Sequence, residues 1–489
     1  MIPTQEQKAI IDAVCQMADE SGQTLRRTIK IEAGAGTGKT TMLIMTTKAL
    51  IERNPNTRIL YLAFNKAIQR EASDKFGRLA DCQTVHGMAH AKLKIGKTKR
   101  PLRRLYRRQV QQVIGNHISD SDAETILRTL TNFAQSGDAW PGPENVPGKA
   151  GGGSTVTSAQ KNWFAEQASH LFCAVAPDQA SDLNLPFDIY LKYWQLVGAP
   201  GLRDYDIVLF DEAQDANPVI MAALEMAGNV VYVGDRHQSI YRFTGAVDAM
   251  SLSRGKSYPL TNSFRFGPEI AHLANVILAQ KSRPPSTTLK GSNQIITRID
   301  GIDRGRAHAR IFRTNLTLIR EAMLLCDRGT PFALAGDNRE FVDILKSVQG
   351  IKDEKPWLAR HPLVKRFKGW DSLQSAAHQD DDARDLTQAV RIAEEYADRL
   401  DQVISILAGE RGSENPTVIL TTAHRAKGRE FKQVVLMPDF DEVIERARSN
   451  RSRWDDEMNL LYVASTRAIN VLENRSSFMQ SEILPKLSS

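Results

Sequence analysis

The 489-residue sequence predicts an α/β fold built on parallel sheets, and three observations carry that expectation. Short apolar, β-rich runs alternate with helical stretches. Several of those runs are apolar at consecutive positions, as strands covered on both faces require. A Gly-rich turn also stands between one such run and a helical stretch. The strand candidates are Thr28–Glu32, Ile59–Phe64, Ile207–Phe210, Val230–Val233, Val418–Leu420 and Val434–Leu436. One helix is legible with its start: Pro268 takes a first-turn position, and Ile270, Leu273, Ala274, Ile277 and Leu278 recur on one face. Length alone suggests about three or four domains.

Composition narrows the class. With 42% hydrophobic residues, 25% charged residues and a mean hydropathy of −0.35, the chain has a soluble, globular profile. Its apolar runs fall well short of the ~18 residues of a membrane helix. The start, MIPTQEQKAIIDAV, lacks a basic stretch followed by an apolar block, so no signal peptide is expected. Cys15, Cys82, Cys173 and Cys326 lie far apart with no CxxC and no nearby His pair. Neither a zinc ribbon, nor another structural metal, nor a disulfide scaffold is expected, and a reducing cytoplasm suits the chain.

Charge points to a partner. The net charge is +7 and the pI is near 9.1, a mild excess. Its distribution says more: Lys92–Arg108 holds nine basic residues and no acid. A solvated helix face normally alternates signs, so phosphate neutralisation explains this run better. The Pro-, Gly- and Ser-rich stretch between Trp140 and Ala159 reads as a mobile loop or hinge in an inserted domain. Gln379–Asp385 reads as an acidic turn before a helical stretch that runs to about Leu407.

The strongest motif is AGAGTGKTT, Ala33 to Thr41, between TIKIE and TMLIMTTKAL. Gly34, Gly36 and Gly38 let the backbone curl so that N–H groups, those of Ala35 and Thr37 among them, face phosphate oxygens beside a helix N-terminus. Lys39 should reach the β- and γ-phosphates, and the Thr40 hydroxyl should ligate Mg²⁺. Ala33 stands where the general motif often has Gly. Downstream, Ile207–Phe210 ends in Asp211 and Glu212. An apolar strand ending in paired acids is the second half of an NTP site. Asp211 would hold the metal through water, and Glu212 would orient or deprotonate the attacking water. The expected cofactors are ATP and Mg²⁺.

The acid pair is followed by VVYVGDRHQSIYRFTGA and LTNSFRFGPEIA, and here the chain resembles the superfamily 1A DNA helicases of the UvrD/Rep/PcrA type. The resemblance covers nearly the whole chain, with the motifs in the family's order. It implies two RecA-like P-loop domains with a helical insertion, 1B, and a reduced second insertion, 2B. TQEQ looks like the adenine-reading motif with Gln7 as base contact, and an ordinary N-cap by Thr4 is compatible with that role. LAFNKAIQREA is similar to the first strand-binding motif, implying that Phe64 stacks on a base with Asn65 and Lys66 near the backbone. TVHGMAHA implies that His86 lies near nucleic acid. Taken alone, Phe64 would fit a core and His86 a satisfied core histidine.

In GDRHQSIYRFTGA, Gln238 matches the γ-phosphate sensor, and Tyr241 and Phe243 match aromatic base contacts, with packing beneath the cleft as the alternative for Phe243. Thr244 departs from the family's usual Arg. In SFRFG, Phe264 matches the aromatic near adenine and Arg265 one arginine finger. ILTTAHRAKGREF resembles the fifth motif, with Thr422 and His424 near DNA, Lys427 and Gly428 near the cleft, and Glu430 near the ribose; Arg429 replaces the family's usual Leu. DEMNLLYVASTRA resembles the sixth, with Arg467 as the second finger. FDIYLKYWQL, TNSFRFG and FTGAV look most like the F-box DNA helicase branch, without an F-box-like extension.

Lys39 and Asp211 are 172 residues apart, and Arg265 and Thr422 are 157 apart. The organisation expected from the resemblance is motor domain 1A at 1–83 and 205–259, 1B at 84–204, motor domain 2A at 260–352 and 412–489, and 2B at 353–411. With 22 residues after Arg467, no accessory nuclease is expected. The implied activity is 3′→5′ translocation on single-stranded DNA with duplex unwinding. The implied partners are single strands, single/double-strand junctions and a protein that supplies regulation. An ATP-gated nucleoprotein remodeller is the alternative, and an RNA-directed motor the third reading. The expected location is cytoplasmic, nucleoid-associated if the source is bacterial.

Overall fold

The computed structural model describes residues 2–20, 27–98, 100–151, 153–240, 250, 253–361, 363–365, 367–379, 384–410, 412–413 and 415–487. The chain forms two compact units, Met1–Leu260 and Thr261–Ser489. Each is built on a six-stranded sheet.

The first sheet comprises β1 (Arg27–Ala33), β2 (Ile59–Ala63), β3 (Asp81–Thr84), β4 (Ile207–Phe210), β5 (Asn229–Gly234) and β6 (Lys256–Leu260), in the order β3-β2-β4-β5-β1-β6. Every pairing is parallel. β2 shows why its residues are apolar at consecutive positions. Ile59, Tyr61 and Ala63 join Ile31, Val231 and Val233 in a core covered by the helices Gln5–Asp19, Lys39–Arg53 and Lys66–Phe76. Leu60 and Leu62 join Val208, Phe210 and Tyr232 in a second core on the other face. That face is covered by helices from the long segment between β3 and β4, through Met88, Phe133, Leu171 and Trp194. The inserted helices therefore share the sheet's own apolar core.

The second sheet holds β7 (Arg298–Ile299), β8 (His308–Phe312), β9 (Phe332–Leu334), β10 (Val418–Thr422), β11 (Phe431–Leu436) and β12 (Ala468–Asn474), ordered β7-β12-β11-β8-β10-β9 and again parallel. Between β9 and β10 the helices Arg339–Lys352, Trp370–Gln379, Arg384–Glu395 and Leu400–Leu407 pack with Phe312, Val418, Leu420 and Val435 in one cluster. Leu373, Leu386, Val390 and Val403 belong to it. The helix Pro268–Ala279 starts at its proline and buries Ile270, Leu273, Ala274, Ile277 and Leu278.

Two expectations are revised. The Trp140–Ala159 stretch is tied down: Val146 and Val156 are buried, Gly142 N–H donates to Asn145 Oδ1 at 2.8 Å, and Gly151 N–H donates to Thr125 Oγ1 at 3.0 Å. The run Lys92–Arg108 is only partly available to a polyanion. Arg100 is buried and donates to the carbonyls of Leu183, Ala176 and Val175 at 2.9–3.0 Å, closing the end of the helix Ser158–Val175. Lys92 pairs with Asp204, and Arg107 with Glu124. Lys94, Lys97, Arg103, Arg104 and Arg108 are exposed. The centre of the acidic turn, 380–383, lies outside the described residues.

Candidate nucleotide and nucleic-acid site

In the first unit β1 delivers the Gly-rich loop and the helix Lys39–Arg53 receives it. Gly36 and Gly38 have φ of 74° and 76°, a region that side-chain-bearing residues enter at a cost, so glycine suits both turns. Gly34 N–H donates to Leu260 O at 3.0 Å, and Thr37 Oγ1 donates to Gly34 O at 2.9 Å, which fixes the loop at both ends. Ala33 is the last buried residue of β1, paired with Leu260. Thr40 is half-buried and Thr41 exposed in the first helical turn.

Lys39 Nζ lies 3.2 Å from Glu212 Oε1. Burial disfavours the ammonium, but Glu212, Asp211 and Asp235 outweigh it and raise the Lys39 pKa, so the residue stays charged. Asp211 is buried; burial first, and repulsion from Glu212 second, raise its pKa. Its oxygens are fixed by Tyr61 OH, which donates to Oδ2 at 2.7 Å, and by Glu212 N–H, which donates to Oδ1 at 2.9 Å. Glu212 adopts φ 53°, a left-handed turn that aims its side chain back toward the loop. Gln238 is buried after β5 and donates to Asp235 Oδ2 at 2.7 Å. Glu212 bonds to Lys39 and Asp211 directly and is joined to Gln238 through Gln214 and Asp235, so these residues form one bonded cluster. Its donor set suits a nucleotide triphosphate and Mg²⁺: left-handed glycines beside a helix N-terminus, a lysine, a helix-borne Thr hydroxyl and an acid.

Three members of this cluster were not assigned from sequence. Tyr61 reads as a core strand residue, and only its hydroxyl touches Asp211. Gln214 lies within DEAQD and Asp235 within GDRHQ, so both stood beside assigned residues without a role.

Gln7 is buried in a capping box: Gln7 N–H donates to Thr4 Oγ1 at 3.2 Å, and Thr4 N–H donates to Gln7 Oε1 at 3.0 Å. Phe64 is 39% exposed where β2 ends, which removes it from the core. Asn65 caps the helix Lys66–Phe76 through Ile68 N–H at 2.9 Å, and Lys66 is exposed. His86 stacks edge-on against Tyr190, 6.1 Å between centroids, and burial lowers its pKa. Tyr241, Phe243 and Thr244 lie outside the described residues.

The second unit brings Arg265, Glu430 and the backbone of Thr466 together. Arg265 Nε and Nη2 lie 2.8 and 2.6 Å from Glu430 Oε1, and Nη1 donates to Thr466 O at 3.2 Å. Arg467 is 1% exposed, with its guanidinium donating to Val463 O at 2.8 Å and Thr466 Oγ1 at 3.1 Å. Phe264 is exposed. Thr422 is buried at the end of β10 and His424 is half-buried in the turn of helix that follows. Lys427 is half-buried, and Gly428 has φ 80°.

Comparison with known proteins matches a family to part of each unit. The family described as an AAA domain matches residues 20–244, and the UvrD-like helicase C-terminal domain matches residues 363–473. F-box DNA helicase 1 of Gallus gallus is 32% identical over 481 residues, 90% of this chain and 46% of that protein. F-box DNA helicase protein 1 of Schizosaccharomyces pombe is 30% identical over 518 residues, 95% of this chain and 56% of that protein. The chain belongs to the UvrD-like helicases of superfamily 1. ATP-dependent DNA helicase UvrD2 of Mycobacterium tuberculosis is a more distant relative, 24% identical over 331 residues. This UvrD-like chain spans about half the length of the F-box helicases it matches. Among the described residues no helix is long and apolar enough to cross a membrane, and no group of three or more His, Cys, Asp or Glu residues is gathered as a metal site of protein ligands alone.

Proposed function

We propose that this chain is a DNA-dependent ATPase that moves 3′→5′ along single-stranded DNA and separates the duplex ahead of it. The observation that carries the reading is the Lys39–Glu212 contact of 3.2 Å over a loop with two left-handed glycines, beside an Asp211 fixed by Tyr61. With Mg²⁺ bound, the metal would neutralise phosphate charge. Thr40 and Asp211 would hold it. Lys39 would bind the terminal phosphates, Glu212 would orient the attacking water, and Gln238 would sense the γ-phosphate. Arg265 and Arg467 would stabilise the transition-state charge, and Gln7, Phe264 and Glu430 would hold the nucleoside. The exposure of Phe64, Asn65 and Lys66 supports a strand-binding role for that turn. Residues 1–83 and 205–259 are assigned to the first motor domain and 260–352 and 412–489 to the second, with 84–204 and 353–411 as insertions. The polarity and the duplex substrate come from the family resemblance.

A second reading, an ATP-gated nucleoprotein remodeller with little intrinsic unwinding, is favoured by the second insertion. Its Leu373, Leu386 and Val403 are committed to the core of their own unit. Comparing 3′-tailed, 5′-tailed and blunt duplexes for ATP-driven unwinding, alongside DNA- and RNA-stimulated ATPase, separates the readings. Unwinding of the 3′-tailed duplex supports the helicase, stimulation without strand separation the remodeller, and a preference for 5′ tails overturns the polarity. An ATPase stimulated by RNA rather than DNA overturns the DNA substrate.

A further inference from the structure

A chain of hydrogen bonds joins Glu212 to Gln238, and its middle members are Gln214 and Asp235. Gln214 is fully buried. Its Nε2 donates to Glu212 Oε2, while its Oε1 accepts from Asp235 N–H at 3.0 Å. Asp235 in turn accepts from Gln238 Nε2 at 2.7 Å through Oδ2 and from His237 N–H at 3.0 Å through Oδ1. The end of β5 makes room for this: a Cβ at Gly234 would stand 2.4 Å from Gln214 Oε1. The main chain of Gln214 is held as well, its carbonyl accepting from Ser239 Oγ at 3.2 Å. The role needs an amide. It donates to a carboxylate with one end and accepts an N–H with the other, which an ionised Glu cannot do and a Met does not attempt. Buried polar networks of this kind fix one geometry rather than several.

We propose that Gln214 is a positioning residue that couples Glu212 to Gln238. The carboxylate that orients water and the amide that senses the terminal phosphate then shift as one body. A change registered at Gln238 reaches Glu212 through Asp235 and Gln214, so stimulation of hydrolysis by a bound strand depends on a side chain that touches neither nucleotide nor DNA. The inference rests on the ATPase reading above.

The test uses the full chain, with steady-state ATPase measured with and without oligo(dT) and nucleotide affinity measured with a fluorescent ATP analogue. Gln214→Met keeps the volume and loses both bonds. It is expected to lower the DNA-stimulated kcat roughly tenfold or more, to leave KM for ATP within about twofold, and to lower the ratio of stimulated to basal rate. Gln214→Glu retains the acceptor for Asp235 N–H but sets a second carboxylate against Glu212. As a second probe it is expected to show the same loss of stimulation, with the melting temperature of each variant checking that it is folded. Combined with Gln238→Ala, Gln214→Met is expected to add little further loss, because coupled residues are non-additive. Full additivity of the two losses, or a wild-type stimulation ratio in both Gln214 variants, overturns the coupling. A wild-type chain without ATPase activity, or a rate that Lys39→Ala does not reduce, overturns the ATPase reading itself and is told apart by that control.

Discussion

Arg265 and Glu430, 165 residues apart in sequence, meet in an ion pair in which two guanidinium nitrogens address one carboxylate oxygen at 2.6 and 2.8 Å. From the motifs they resemble, Glu430 is expected at the ribose and Arg265 at the γ-phosphate. On the proposed role of Arg265 the pair gives Glu430 a further task, because an arginine that is to address a phosphate needs a counter-charge that holds it in place. Glu430 is half-exposed and Arg265 largely covered, so the contribution is modest.

Glu430→Gln separates the two tasks. A carboxylate that positions Arg265 is expected to lower kcat by roughly fivefold when neutralised, with equal losses on ATP and 2′-deoxy-ATP. A ribose contact instead predicts that the wild type prefers ATP over 2′-deoxy-ATP and that the variant loses this preference. Steady-state kinetics with both nucleotides decides the matter.

Arg467 differs from Arg265 in its surroundings, and the difference is measurable. Its guanidinium is buried on the carbonyl of Val463 and the hydroxyl of Thr466. Both Arg265→Ala and Arg467→Ala are expected to bind nucleotide and lose turnover. Arg467→Ala should in addition lose about 2 kcal/mol through the lost hydrogen bonds of a buried charged group, seen as a melting temperature lower by several degrees. Arg265→Ala should melt close to wild type. Near-normal turnover in both variants would remove these arginines from the active site.

Lys192 offers a pH test in the inserted helices. It is fully buried and donates to Ser136 O at 3.1 Å, Gln195 Oε1 at 2.9 Å and the carbonyl of Asp138, with the Phe133 ring 4.6 Å away. Burial pushes its pKa down to about 8 from the usual 10.5, against an opposing pull from Asp138. Between those values the unfolded chain holds a proton that the folded chain has released, so this group makes stability rise with pH. Below pH 8 both states are protonated and the charge-burial cost is constant. Relative to Lys192→Met, the wild type should gain stability between pH 8 and 10.5, read as a rising difference in urea midpoints. A difference that stays flat or falls across that window would show that Lys192 keeps its proton.

What was legible in the sequence follows physical lines. Interior strands such as Ile207–Phe210 were visible because both faces are buried, which demands apolar residues at successive positions. β3 (DCQT) and β6 (KSYPL) were not, because they lie at the sheet's edges, where polar side chains and Pro259 are tolerated. Lys39, Asp211 and Glu212 announced themselves through local motifs, whereas Tyr61 reaches Asp211 only because β2 and β4 are neighbours in register. Arg467 was placed by its motif, but a motif carries no information about burial of its guanidinium. The basic run was legible only in part, for a related reason. Its spacing says nothing of carbonyls supplied from far along the chain, and Arg100 donates to four of them, those of Val175, Ala176, Leu183 and Asn184.

That division of the basic run yields the last prediction. Arg103 and Arg104 are exposed, while Arg100 is buried in the fold. If exposed arginines neutralise phosphates, Arg103→Ala with Arg104→Ala should weaken DNA binding at all sequences alike. The slope of log K against log salt should fall by about 1.4 for a single strand, or about 0.7 per lost phosphate contact. Replacement of both by Lys should restore most of the slope, since point charge rather than geometry supplies this term. Arg100→Met should leave the slope unchanged and lower stability, because it takes a buried donor from the carbonyls of Val175, Ala176 and Leu183. Fluorescence anisotropy over a salt series on the full chain reads both outcomes. A slope that drops with Arg100 and not with Arg103 and Arg104 would place the DNA track elsewhere on the molecule.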